Sequence, residues 1–120
     1  MDTAWNVDAW QEEKKPWQGS HAKRCPSLWL LFATGRKRAC HYGNLDDVDV
    51  LDGMMKIYFS NKTVVVIGRH LDELASLVAA ECAYCIREQH TSPFEVQRHE
   101  PYIERIDLQP PNPEALTRKP

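Results

Sequence analysis

Hydrophobic and polar residues alternate most sharply between Met55 and Ile67. Met55, Ile57 and Phe59 interleave with Lys56, Tyr58 and Ser60, the period of a half-buried strand. Ser60-Asn61-Lys62 supplies a turn, since Asn tolerates left-handed backbone. The next strand, Thr63 to Ile67, is apolar on both faces beyond Thr63: Thr63, Val65 and Ile67 share one side, Val64 and Val66 the other. Such a strand requires cover on both faces. Past Gly68, residues Leu71, Leu74, Ala75 and Val78 fall on one helical stripe opposite Asp72, Glu73 and Ser76. The two carboxylates stand in the first turn, where the helix dipole favours them. Beyond Val78 the spacing fits either a helix through Gln89 or a helix ending near Glu81 with a strand over residues 83–88. The second is preferred, because a longer helix leaves Leu77 and Tyr84 on its polar side. Residues 90–100 read as a loop around Pro93, and Tyr102 to Leu108 as a further strand.

These elements predict an α+β fold, a small antiparallel sheet in ββαββ order with one helix packed on one face. The domain is expected over residues 54–109, with a disordered tail over 110–120 begun by Pro110, Pro111 and Pro113. Residues 1–53 read as a Trp-rich, poorly structured N-terminal extension. Trp5, Trp10 and Trp17 stand at spacings that fit neither helix nor strand, and Pro16 and Gly19-Ser20 interrupt whatever forms. Ser27 to Ala33 is short enough to be a strand or one to two buried helical turns. The change of composition at Gly53-Met54-Met55 suggests Met54 or Met55 as a natural start.

A unit of about 54 residues buries only around 60% of its unfolded surface and is marginal alone. One helix covers one sheet face, so the side assigned to Tyr58, Val64 and Val66 needs a second cover. Either the segment from Trp29 to Phe32 folds over it, or a second copy does so with two-fold symmetry. The expectation is a homodimer, with Tyr58, Val64 and Val66 as the interaction face.

The run MKIYFSNKTVVVIGRHLDEL, followed by YCIREQ and IERIDL, resembles short uncharacterised bacterial proteins of about this half-length. Their pattern is a hairpin, a Gly-Arg-x-Leu helix start and a strand ending in Arg-Glu. The resemblance covers residues 55–108, implies the strand at 83–88, and carries no assigned activity.

Composition narrows the function classes. At 120 residues there is room for one domain. A net charge of −2 and a pI near 6.2 argue against nucleic acid or a membrane surface as the dominant partner. The longest early apolar run, Leu28 to Ala33, falls far short of the roughly 20 residues that span a bilayer. It also lies too far from Met1 for a secretory signal. The four cysteines are therefore expected as reduced thiols, and the protein as cytoplasmic.

Several constellations could carry chemistry. Cys82 and Cys85 form a C-x-x-C that Cys25, Cys40 and His41 could complete as a metal set. Zinc, however, needs four convergent ligands on turns, and this pair lies inside regular structure. On a strand its sulfurs would face opposite sides. Cys85 with His70 or His90 could act as nucleophile and base, but no Gly-flanked nucleophile turn is present. The run from Asp46 to Gly53 fails the register of a calcium loop, with Leu51 where an oxygen ligand is required. Arg36, Lys37 and Arg38, beside Lys23, Arg24 and Trp29, could bind phosphates with aromatic stacking. No cofactor is expected. The reading is a non-catalytic interaction or regulatory module. The alternative is a metal- or nucleic-acid-binding accessory protein using the Cys/His set or the basic cluster.

Overall fold

The structure, a computed structural model, describes residues 15–89 and 100–111. Strands β1 (Trp17–Gly19), β2 (Ser27–Leu31), β3 (Lys37–His41) and β7 (Ala83–Arg87) make a first sheet in the order β1-β7-β2-β3. Strands β4 (Leu45–Leu51), β5 (Met54–Phe59), β6 (Lys62–Arg69) and β8 (Tyr102–Gln109) make a second in the order β4-β5-β6-β8. One helix among the described residues, α1 (Asp72–Ala79), carries the chain from the second sheet back to the first. It is not long and apolar enough to cross a membrane.

The ββαββ expectation is corrected. Hairpin, helix and both later strands stand where the periodicity put them, but β7 does not join the hairpin's sheet. It pairs antiparallel with β1 and parallel with β2, while β8 alone returns to β6. The poorly structured extension is corrected too, since residues 17–51 supply β1 to β4. Trp5, Trp10, His90, His99 and the tail beyond Pro111 lie outside the described residues.

The physical reason is the need for cover. Residues opposite one another in a ladder share a face. The β5–β6 register pairs Met55 with Val66 and Ile57 with Val64, which puts all four on one side. That side is sealed by the first sheet and the helix: Leu28, Leu30, Tyr42, Ile86, Leu74 and Val78 belong to the same buried cluster. Tyr58 pairs with Thr63 and so lies on the opposite face. The predicted interaction face of Tyr58, Val64 and Val66 is therefore not one surface. Val64 and Val66 are 0% exposed, and Tyr58 is half-buried on the other side. With that cover supplied within the chain, the ground for expecting a second copy is removed.

Local chemistry explains the boundaries. In β4, Val48 and Val50 pack against the core while Asp47 and Asp49 are exposed. Gly53, at φ +81, closes the tight turn into β5. The helix ends in a Schellman arrangement: Cys82 N–H donates to Leu77 O (2.7 Å) and Glu81 N–H to Val78 O (2.9 Å). Glu81 occupies the left-handed position, φ +61, that glycine usually fills. That arrangement turns the chain at once into β7. The Tyr42 hydroxyl, just beyond β3, donates to Ala83 O at 2.6 Å and ties the end of β3 to the start of β7.

Candidate functional site

The outer face of the first sheet is built by strand alternation. Leu28, Leu30 and Ile86 point into the core, so their neighbours Trp29, Leu31, Cys85 and Arg87 point away from it. The registers set two cross-strand rows on this face. One runs through Gln18, Cys85, Trp29 and Ala39, the next through Arg87, Leu31 and Lys37. The basic cluster is divided by the same alternation. Lys37 is exposed on the outer face, Arg38 pairs with Leu30 on the opposite one, and Arg36 sits in the turn over the Phe32 ring, 5.7 Å from its centroid.

At one end of the face a cavity of about 480 Å³ is lined by Lys23, Arg24, Cys25, Trp29, Cys82 and Tyr84, among others. Its wall is the loop from Ser20 to Pro26, held by Ser20 N–H to Cys82 O (3.3 Å) and Cys25 N–H to Glu81 O (2.8 Å). Gly19 makes this approach possible, because a Cβ there would fall 2.5 Å from Cys82 O. Arg24 reaches Glu81 Oε1 at 2.7 Å, and its side chain remains 73% exposed.

Charge is divided between the two sheets. Over residues 15–44 and 80–89, which carry the first sheet, there are seven Lys and Arg against two Asp and Glu. Over residues 45–79 and 100–111, which carry the second sheet and the helix, there are four against nine. The near-neutral sum conceals a basic half and an acidic half. The signal was present in the sequence: no carboxylate occurs between Lys15 and Asn44.

The four cysteines and His41, the candidate metal ligands weighed from the sequence, are not brought together. Cys25 and Cys82 share the cavity wall, each with its Sγ against a backbone carbonyl: Cys25 Sγ is 3.9 Å from Cys82 O, and Cys82 Sγ is 3.4 Å from Ala80 O. Cys85 lies on the outer face with its Sγ 3.7 Å from Gln18 Oε1, and Cys40 is in the core. His41 is exposed, its Nδ1 3.0 Å from Ser27 Oγ. Among the described residues no group of three or more His, Cys, Asp or Glu side chains converges as a metal site. Asp46, Asp47 and Asp49, whose spacing already fails the register of a calcium loop, are strand residues of β4.

The thiols of Cys25, Cys40 and Cys85 are held protonated. Burial raises the Cys25 pKa, with the neighbouring Cys82 adding to the shift and Lys23 opposing it. Cys85 is pushed up to about 12 by burial, against the opposing hydrogen bond to Gln18 and the charge of Arg87. Neither is a thiolate at neutral pH, and His70 lines a separate cleft with Val50, Asp52 and Asp72. What the site offers is stacking area, cations and a cavity.

No family model, no curated protein and no solved structure matches the chain.

Proposed function

We propose that the protein is a small cytoplasmic, non-catalytic binding module that engages an anionic partner through the outer face of its first sheet. The observation that carries this reading is the division of charge by sheet: residues 15–44 and 80–89 hold seven cations against two anions, and four of those cations, Lys23, Arg24, Lys37 and Arg87, stand on or beside this face. A one-signed face raises the local concentration of an oppositely charged partner and steers its approach.

The absence of chemistry is part of the proposal. Ser27 and His41 form the hydrogen-bonded pair on this face that comes nearest to a nucleophile and its base. Such a pair needs a carboxylate to orient the ring. The two carboxylates of this half are committed elsewhere, Glu81 to Arg24 and Glu88 to the amides of Ala33 and Ile106. The cytoplasmic setting is supported by four unbridged cysteines, which suit a reducing compartment.

The test is binding to heparin, a polyanion without bases, at low and rising salt. Binding that weakens as salt rises, and at least fivefold with K23E/K37E, is expected. The control K56E/K62E makes the same charge change on the second sheet and should have a smaller effect. Both variants are checked for folding by circular dichroism. No binding at low salt, or equal weakening by both pairs, contradicts the proposal.

A further inference from the structure

The partner's chemistry can be narrowed from the arrangement of side chains on the basic face, an inference that rests on the binding reading above. Trp29 is half-buried in the middle of the outer face and also lines the 480 Å³ cavity. Cations flank it on both sides along the strand direction. Lys23 and Arg24 stand at the cavity, while Lys37 and Arg87 stand one cross-strand row beyond, about 7 Å on at two residues of strand rise. An aromatic ring between two groups of cations, beside a concavity, matches the demands of an unpaired nucleotide chain. Its bases have faces to stack, and its phosphates follow at each side.

Duplex recognition fits poorly. Reading a major groove requires a projecting helix or ribbon, and α1 opens with Asp72 and Glu73 and packs on the acidic half. An acidic peptide would satisfy the cations but would make no particular use of an indole beside the cavity. We infer that the outer face of the first sheet binds single-stranded nucleic acid, one base stacking on Trp29 at the cavity and the adjoining phosphates lying on Lys23 and Arg24 at one end and Lys37 and Arg87 at the other.

The experiment is fluorescence anisotropy of a labelled oligothymidylate of about ten nucleotides with the full chain, within the usual range of single-strand site sizes. Duplex DNA of the same length, polyglutamate and heparin serve as competitors, and the tryptophan signal is followed in parallel. The expected result is single-strand binding with quenching of tryptophan emission. The log–log salt slope should be about −2 to −3, as three or four neutralised phosphates give. W29A should weaken binding roughly fivefold or more, W29F should retain most of the affinity, and W29F should remove the quenching. Heparin and oligothymidylate bound alike, with W29A without effect, overturns this inference and leaves the binding module standing. Polyglutamate competing as well as the oligonucleotide overturns it in the same way. No binding to heparin or oligothymidylate overturns both readings. Salt-sensitive self-association in light scattering, with no oligonucleotide bound, assigns the basic face to the acidic half of a second copy and overturns it as well.

Discussion

Glu88 and Ile106 are joined across the two sheets: Glu88 Oε2 accepts the Ile106 N–H at 2.7 Å, while Oε1 accepts the Ala33 N–H at 2.7 Å. One carboxylate just past β7 thus ties the β2–β3 turn to the edge strand β8. It also occupies an outward amide of that edge, a position open to unwanted strand pairing. Hydrogen bonds to a charged acceptor are worth about 1.5 to 3 kcal/mol each, less where solvent reaches them.

Glu88→Ala should therefore destabilise the protein by about 2 to 3 kcal/mol, read from urea denaturation. Glu88→Gln keeps one carbonyl acceptor and should lose about half of that. The Ile106 amide should lose exchange protection before Val64 does. An unchanged urea midpoint in Glu88→Ala would show that the clamp contributes nothing.

Gly68 sits where β6 passes close against β8, at a register irregularity between Ile67 and Gly68. A Cβ there would lie almost on Tyr102 O and 3.0 Å from Ile103 Cα. Both obstacles are backbone, so no side chain can rotate away. Gly68→Ala should cost about 3 kcal/mol in thermal or urea unfolding, whereas Gly43→Ala, with nothing within 4 Å, should be tolerated. Equal stability of the two variants would argue against the β6–β8 pairing.

Alkaline pH should unfold the protein through groups whose protons the fold retains. Cys85 is raised from an ordinary 9.0 to about 12 by burial, and burial likewise raises Cys25, Cys40 and Tyr42. In each case the unfolded chain releases the proton at lower pH than the folded one. Stability is therefore fully present below the unfolded value and falls as pH rises toward the folded value. For Cys85 that window runs from 9.0 to about 12, with a slope of about 1.4 kcal/mol per pH unit for one proton. Cys85→Ala should flatten stability against pH across that window. A slope unchanged by the substitution would place the alkaline transition elsewhere.

Most of the second half was legible in the sequence because its signals are local. The alternation of Met55, Ile57 and Phe59 and the stripe of Leu71, Leu74 and Val78 stand as read, and the strand read over 83–88 runs over Ala83–Arg87. The partner of each strand was not legible. Val64 and Val66 demanded cover, but nothing near them in sequence says that Leu28 and Leu30 supply it. Tyr58 lies on the face opposite Val64 and Val66, because alternation within each strand does not by itself contain the register across the turn that pairs it with Thr63. The same gap hid the site. Lys23, Arg24, Lys37 and Trp29 stand near one another in the sequence, yet whole-chain charge argues against a basic face, and the two-sheet topology is what separates these cations from the acidic half.

Amide exchange across the full chain tests the two-sheet fold, on which the basic face depends, most directly. Tyr42, Arg87 and Glu88, whose amides bond Pro26, Pro16 and Leu31 in or next to the strands of the first sheet, should exchange within about tenfold of Val64 to Val66 in the second, as one cooperative unit does. Exchange of those three amides at the rate of unstructured chain, with Val64 to Val66 still protected, would contradict it.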